Sequence, residues 1–534
     1  MTKPASYAAI DLGAASGRVV VGHVDEHRVA LEEVHRFPNV AVTTPDGVLW
    51  DVLSLWRGVL DGLAKVDPDR ELRGVGVDGW GVDYGLLDGE GRLLANPHSY
   101  RDPRTRDLVE QALGVIPADE LYRLTGVQPQ PINTLYQLLA ERGLARLEAA
   151  RTLLFIPDLI AYWLTGEPMV EATVASTSQL YDTGTGDWAW PVIERYRLPG
   201  HIFTPVVEPG AARGALLTQV AEAIGVPARV GVTAVASHDT ASAVAAVPAE
   251  NDGFAYVSSG TWSLVGVETA GPVRTQAARA AGLTNELGVA STNRLLKNTT
   301  GLWLLQECRR VWSQQGDHRD YGELAAAAAA APAFGPLVDP DDESFAGAAD
   351  MPSSIRSFCA RTGQRPPSDH GAMVRCILES LACACRLVLD QIEAVADRKI
   401  EVVHVVGGGA RNRLLCQLTA DAAGRPVLAG PVEATSLGNI LVQAFGSDTS
   451  LTELRELVRR SIGPRRYAPR DPRSLVRRAG SLRADPPVAA VSPHGSITEE
   501  GRRLRIARLH RCTARWRGGS RGRRQHMTGR DETT

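Results

Sequence analysis

Residues 6–37 read SYAAIDLGAASGRVVVGHVDEHRVALEEVHRF. Three apolar-rich segments, 6–13, 18–24 and 29–37, are separated by short turns. Such segments read as strands, and turns this short predict an antiparallel three-strand meander. Asp11 closes the first strand, and Gly13, Ala14, Ala15, Ser16 and Gly17 then turn the chain back. A turn of small residues brings backbone N–H groups close to phosphate oxygens. Asp11 is placed to hold a hydrated Mg²⁺, directly or through water, and Ser16 and Arg18 to add donors. A plain β-turn accounts for the same residues.

Outward from this stretch, strands and helices alternate. WDVLSLWRGVLDGLAKV (50–66) has helical spacing, and ELRGVGVDGWGVDYGLLD (71–88) is a strand running into glycine-punctuated turns. From about 100 to 225 the chain reads as mostly helix and loop. Strand character returns at Val230–Ala236, followed by a helix start in HDTASAVAAVPA. The second half then restarts the pattern. FAYVSSGTWSLVGVE (254–268) is strand, small-residue turn, strand; KIEVVHVVGGGARNRLLCQLTADAAG (399–424) is strand, triple-glycine turn, helix. RPVLAG is a short strand and EATSLGNILVQAF a helix. The repeat is one of pattern, a hairpin with a small polar turn near residue 12 and again near 259, within an α/β layer structure. The alanine-rich ELAAAAAAAPAFG (323–335) predicts a helix ending near Pro332.

The bulk numbers bound the function classes. At 534 residues, two large domains are expected. A net charge of −3 argues against a protein built mainly to wrap nucleic acid. No apolar run approaches the roughly 20 residues that span a bilayer. MTKPASYAAIDLG has no secretory pattern, so the expected location is the cytoplasm. The seven cysteines lack the double CxxC spacing of a structural zinc site. Cys383 and Cys385 read as buried thiols of a helix, and Cys359 and Cys376 pair only if the fold brings them together. Lysine occurs only at 3, 65, 297 and 399, so arginine-rich stretches reflect composition more than function.

Four further constellations carry chemistry. Ser258-Ser259-Gly260-Thr261-Trp262-Ser263 repeats the first turn in the second half, and two such turns facing one another would grip a polyphosphate. Gly407-Gly408-Gly409-Ala410-Arg411-Asn412 follows a strand and opens a helix, which favours nucleotide contact over a tight packing turn. Ser237-His238-Asp239-Thr240 stands at a strand-to-helix junction. Asp239 there fits a base orienting an acceptor hydroxyl, and equally an N-cap. His238 fits a sugar hydroxyl or a turn cap. Asp78-Gly79-Trp80-Gly81-Val82-Asp83 offers a sugar surface, or a core aromatic. The 407–412 turn is not GxGxxG, and Walker A and HExxH patterns are missing.

Taken together, AIDLGAASGR (9–18), VDGWGVDYGLLD (77–88), YRDPRT (100–105), NTLYQL (133–138), ASHDTASAV (236–244), SSGTWSLVG (258–266), LKNTTGLWLLQE (296–307) and VVGGGARN (405–412) resemble the FGGY family of carbohydrate kinases. The resemblance runs in order from residue 7 to about 470. It implies an α/β fold of two actin-like, ribonuclease-H-like domains flanking a deep catalytic cleft, residues 1–245 mainly sugar-binding and 246–470 mainly nucleotide-binding. It implies ATP and a ketose sugar as partners, Mg²⁺, and direct phosphoryl transfer. Its substrate-side turns imply L-rhamnulose. By resemblance, Asp239 is the catalytic base, and Gly81, His238, Asp239, Thr240 and Asn298 meet the sugar. Ala14, Ala15, Ser16, Gly17 and Arg18 form the phosphate loop, and Thr261, Gln306 and Gly408 meet the nucleotide.

Competing expectations are a sister kinase for fuculose, xylulose or glycerol, and a non-catalytic binder of sugar or nucleotide. The resemblance fades after RRYAPR (465–470). The arginine-rich tail 471–534 is expected to be disordered, either an added segment without function or a polyanion-binding appendage.

Overall fold

The structure is a computed structural model that describes residues 4–67, 71–447 and 450–470, all within one compact unit. The tail 471–534 lies outside the described residues.

The three-strand meander is present as Ala5–Leu12, Ser16–Val24 and Val29–Pro38, each antiparallel to the next. Strands Leu72–Gly79 and Gly231–Thr233 add in parallel beyond the first, and Ala212–Ala215 closes that edge. The second half builds the same order again. Phe254–Ser259, Trp262–Thr269 and Asn293–Thr300 form the meander, with Val402–Val406 and Val427–Ala429 parallel on the other side of the first. Thr284–Leu287 and Arg465–Tyr467 extend the two edges. This doubled ribonuclease-H-like, actin-like arrangement is the fold the sequence predicts. Parallel neighbours put the C-terminal ends of the central strands at one edge of each sheet, where α/β proteins gather their ligands.

Apolar spacing explains the helices. Val52–Leu63 buries Val52, Leu55, Val59 and Leu63 along one stripe against the first sheet, and leaves Leu53 exposed. The alanine-rich segment is the helix Tyr321–Ala330, started by a capping box between Asp320 and Glu323. The 27-residue helix His370–Ala396 buries Cys376, Cys383 and Cys385. Cys359 and Cys376 lie in hydrogen-bonding contact as free thiols. Among the described residues, no helix is long and apolar enough to cross a membrane.

The stretch 100–225 is mostly helix and loop, as expected. It contains the short ladders Thr152–Phe155 with Tyr84–Leu87, Val170–Glu171 with Val206–Val207, and Tyr181–Asp182 with Asp187–Trp188. The two ladders of two residues leave no alternation to read, and the four residues Thr152–Phe155 are wholly apolar after Thr152, so periodicity misses all three.

One helix ties the halves together. Ala434–Phe445 follows all but the last strand of the second sheet in sequence but packs on the first. Ser436, Asn439 and Gln443 share one stripe, and Gln443 Nε2 donates to Ala8 O at 3.0 Å and to Asn439 Oδ1 at 2.7 Å. Gly438 faces the helix Asp239–Ala245 so closely that a Cβ would stand 1.8 Å from the carbonyl oxygen of Ser242.

Alanine at 438 would gain about 1 kcal/mol of helix propensity. Forcing a methyl group against fixed backbone costs about 1–3 kcal/mol and wins at this distance. Gly438→Ala is therefore expected to lower Tm in a thermal-denaturation experiment; an unchanged or raised Tm would mean that the two helices are free to separate.

Candidate active site

Three carboxylates converge where the first sheet ends. Asp11 and Asp78 stand opposite one another on parallel neighbours, and the chain at His238 bridges to Gly79 just beyond them. Asp78 is wholly buried, and burial pushes its carboxyl well above the usual range, helped by the charges of Asp11 and Asp239. Asn439 Nδ2 donates to its Oδ2 at 2.5 Å, while Oδ1 has no protein partner. Asp11 accepts from Ser436 Oγ at 3.2 Å and pairs with Arg18. Arg18 also pairs with Glu433, which pairs with Arg411 at 3.0 Å.

Asp239 is the accessible member: its side chain is 32% exposed, against 5% for Asp11. Burial of its surroundings, with the charge of Asp11, raises its pKa above the ordinary value. It is the first residue of the helix Asp239–Ala245 rather than its cap; that position belongs to His238, whose side chain makes no capping bond. Neither capping alternative from the sequence holds. Asp239 Oδ1 instead accepts from Thr240 Oγ1 at 3.1 Å.

The 237–238 segment is fixed from below by Glu171. Glu171 Oε2 accepts from Ser237 N at 3.0 Å and from Thr173 Oγ1 at 2.6 Å, and Thr173 Oγ1 accepts from His238 N at 3.1 Å. Burial pushes the Glu171 carboxyl up to about 7.

The 78–83 turn is equally constrained. Asp83 Oδ2 accepts from Trp50 Nε1 at 2.6 Å, Trp80 Nε1 at 3.0 Å and Tyr100 N at 3.1 Å, and Oδ1 from Gln137 Nε2 at 2.7 Å. Burial raises its pKa to about 6. Trp80 is core: it is 6% exposed and packs on Trp50 with ring centroids 4.5 Å apart. Val82 has φ +67°, an outlier for a β-branched residue. Three side-chain bonds hold it there: Thr177 Oγ1 accepts from its N–H, and Thr134 Oγ1 and Gln137 Nε2 donate to its carbonyl. Strain of this kind persists only where the surroundings over-determine it, and it clusters at functional sites. Gly81 lies under Thr177, whose Oγ1 would be 2.6 Å from an added Cβ.

The nucleotide-side residues fall in three places. The Gly13–Gly17 turn closes through Gly13 N to Ser16 O at 3.0 Å and is clamped by Asn39, whose Nδ2 donates to Gly13 O at 2.8 Å and whose N donates to Ala15 O at 3.1 Å. Ala15 is exposed, Ala14 is half-buried, Ser16 Oγ accepts from Arg36 at 3.3 Å, and Gly17 makes room for Phe37. Thr261, on the second turn, meets Gln306, Oγ1 donating to Oε1 at 3.2 Å. The triple-glycine turn packs on Ser259: a Cβ on Gly409 would stand 2.0 Å from Ser259 Oγ, whereas one on Gly408 would meet open space. Asn298 is half-buried on Asn293–Thr300 opposite Leu264, with no hydrogen bond to Asp239 among the described residues.

Several contributors escape a reading of motifs. Asp78 is visible in DGWGVD but looks like a turn residue until its register with Asp11 is known. Asn39, Glu171, Thr173 and Asn439 act on partners from 24 to 361 positions away, or hold those that do, and carry no local signature.

Among the described residues, no cluster of three or more His, Cys, Asp or Glu is arranged as a self-sufficient metal site. Mg²⁺ does not need one, since it keeps waters and takes one or two carboxylates plus phosphate oxygens. The unpartnered Asp78 Oδ1 beside Asp11 fits that donor set.

The chain belongs to the FGGY family of carbohydrate kinases: residues 6–246 match its N-terminal domain and residues 255–447 its C-terminal domain. It is a carbohydrate kinase. The chain is 45% identical to a rhamnulokinase of Bacteroides thetaiotaomicron, over 87% of this chain and 96% of that one. It is 38% identical to a rhamnulokinase of Bacillus subtilis over the same shares. Among solved structures, xylulose kinase from Lactobacillus acidophilus aligns with TM-score 0.73 over 89% of this chain and 96% of its own, at 15% identity. Glycerol kinase from Plasmodium falciparum aligns with TM-score 0.70 over 90% and 97%, also at 15% identity. At such identity these two structures speak for the fold alone.

Asp83→Ala would leave two indole N–H groups and a backbone N–H without their acceptor in the core, while Gln137 Nε2 keeps the carbonyls of Val82 and Ile132. A loss of at least ~3 kcal/mol is expected, read as a marked fall in Tm; a Tm within error of wild type would mean that water replaces the carboxylate freely.

Proposed function

We propose that the protein transfers the γ-phosphoryl group of ATP to the 1-hydroxyl of L-rhamnulose, giving L-rhamnulose 1-phosphate and ADP in L-rhamnose catabolism, with Asp239 as the base. The exposure of Asp239 beside two buried carboxylates carries the proposal: it alone of the three has a surface to offer a substrate hydroxyl. The choice of sugar rests on the relatives named rhamnulokinase.

Residues 1–245 would mainly hold the sugar and residues 246–470 mainly ATP. Asp239 accepts the hydroxyl proton and keeps the oxygen in line with the γ-phosphorus; its raised pKa suits it to take a proton late in the transfer. His238, Thr240, Gly81 and Asn298 orient the sugar. Backbone N–H groups of the turn Ala14–Arg18 and of the Thr261 hairpin turn stabilise phosphate oxygens. Gln306 and Gly408 receive the nucleoside, Gly408 because nothing stands over it. Mg²⁺ carried with ATP would be held by Asp11 and Asp78, directly or through water, and would offset phosphate charge. Excluding water from the closed cleft would protect ATP from hydrolysis.

Asp239→Asn is expected to cut kcat by at least ~100-fold, the usual contribution of a positioned base, while L-rhamnulose binding measured by calorimetry survives. A sugar panel of L-rhamnulose, L-fuculose, D-xylulose, L-ribulose and glycerol accompanies it. Preference for another sugar would transfer the mechanism to a sister kinase, and undiminished turnover in the variant would remove Asp239 from its role.

The glycine turn separates binding from packing. Gly408→Ala is expected to keep its Tm and raise KM for ATP. Gly409→Ala is expected to lower Tm, because its methyl group collides with Ser259. The reverse pattern would put the nucleotide elsewhere.

A further inference from the structure

His238 lies at the junction of the two halves, and its ring is held by residues far away in sequence. Glu286 on strand Thr284–Leu287 places Oε2 3.2 Å from His238 Nδ1. Arg294 on the adjacent strand places Nη2 3.0 Å from the same Oε2 and 3.1 Å from Nδ1. Glu286 and Arg294 are cross-strand partners. Arg294 is wholly buried, and its Nε donates to Leu287 O at 3.0 Å. His238 Nε2 lies on the other side of the ring, 3.5 Å from Asp239 Oδ1.

This geometry selects a protonation pattern. A bare Nδ1 would accept from Arg294 Nη2, 3.1 Å away, but would also set its lone pair against the Glu286 carboxylate oxygen at 3.2 Å. A protonated Nδ1 instead gives Glu286 Oε2 two donors, one from the imidazole and one from Arg294, and pairs the ring with the charged, stronger acceptor. The hydrogen bond at one ring nitrogen fixes the role of the other. Nε2 is then the ring atom presented on the side of Asp239.

We infer that Glu286, steadied by Arg294, is the positioning residue that fixes the ring orientation and tautomer of His238, so that a side chain meeting the sugar is set from the nucleotide-binding half. Glu286 touches no substrate; it acts through the imidazole. A sugar hydroxyl that donates to Nε2 would be recognised only while Nδ1 holds its proton, so selectivity for the acceptor hydroxyl pattern depends on a residue outside the sugar-side motifs.

The inference rests on the proposal that His238 meets the sugar, and the test keeps the two apart. Steady-state kinetics are measured for wild type, His238→Ala, Glu286→Ala and Glu286→Gln with L-rhamnulose and with ATP. Ring ¹⁵N resonances of His238 are recorded for wild type and both Glu286 variants, assigned by their loss in the histidine variant. Loss of a charge-assisted hydrogen bond predicts a rise of about 10- to 100-fold in KM for the sugar in Glu286→Ala, with KM for ATP little changed. Glu286→Gln, whose amide oxygen still accepts from Nδ1, is expected to show a smaller rise, and it decides the matter if the alanine variant does not fold. Wild type is expected to show Nδ1 protonated, and Glu286→Ala to lose that preference. An unchanged sugar KM in His238→Ala would overturn the parent proposal. A raised sugar KM in His238→Ala, with the Glu286 variants unaffected or with both KM values rising together, would overturn the role given to Glu286. A bare Nδ1 in wild type would do so as well.

Discussion

Two carboxylates buried side by side set the terms for this structure. Asp11 and Asp78 are in register on adjacent strands, with 4% and 0% of their surfaces exposed. Removing one carboxylate from water is costly, and a like charge beside it adds to the cost. The first half of the chain cannot supply enough partners for both. Arg18 serves Asp11, but Ser436 and Asn439, which complete the hydrogen bonding, come from a helix that follows all but the last strand of the second sheet in sequence. The polar stripe on Ala434–Phe445 therefore does for the site what an apolar stripe does for a core: it makes the helix indispensable to the sheet it covers. Among the described residues Asp78 Oδ1 is left without a hydrogen-bond partner, a cost to stability rather than a contribution.

The fold was legible to the extent that hydrophobic periodicity and turn chemistry are local. The meander at 5–38, its counterpart at 254–300 and the strand–glycine–helix unit at 402–423 all carry their pattern within a few dozen residues. Candidate site residues were legible where they sit in quoted motifs: Asp239, His238, Thr261 and Gly408. It was illegible where register or long-range contact decides the role. Nothing in the letters of Leu72–Gly79 says that Asp78 will face Asp11 rather than solvent; a shift of one residue would reverse it. The N-cap alternative for Asp239 looked equally good in sequence, and only the observed start of the helix at Asp239 itself removes it. Short ladders in 100–225 were missed for a related reason, since two paired residues have no period and Thr152–Phe155 shows no alternation.

The halves meet at two buried polar joints. One is the helix crossing at Gly438 and Ser242 with its stripe of amides. The other is the edge strand Thr284–Leu287, where Asn285 Nδ2 donates to Gly126 O at 3.0 Å, Gln128 Nε2 to Leu283 O at 3.0 Å, and Leu287 N to Ser176 Oγ at 2.9 Å. Opening either joint would strand buried donors and acceptors at about 1–3 kcal/mol each. A closing motion that turns about the joints leaves those bonds intact. Among the described residues the turn bearing Ala15 has no hydrogen bond to the turn bearing Thr261, so relative movement of these two carries the smaller penalty, whereas the Gly408 turn stays with Thr261 because strands Phe254–Ser259 and Val402–Val406 pair and Gly409 packs on Ser259. Glu286 belongs to the second joint and His238 stands against it, so the imidazole lies on the side that stays fixed. Asp239 is its immediate neighbour in sequence. A base that must hold an acceptor oxygen in line is best carried by the part of the molecule that does not move when the phosphate-binding turns do.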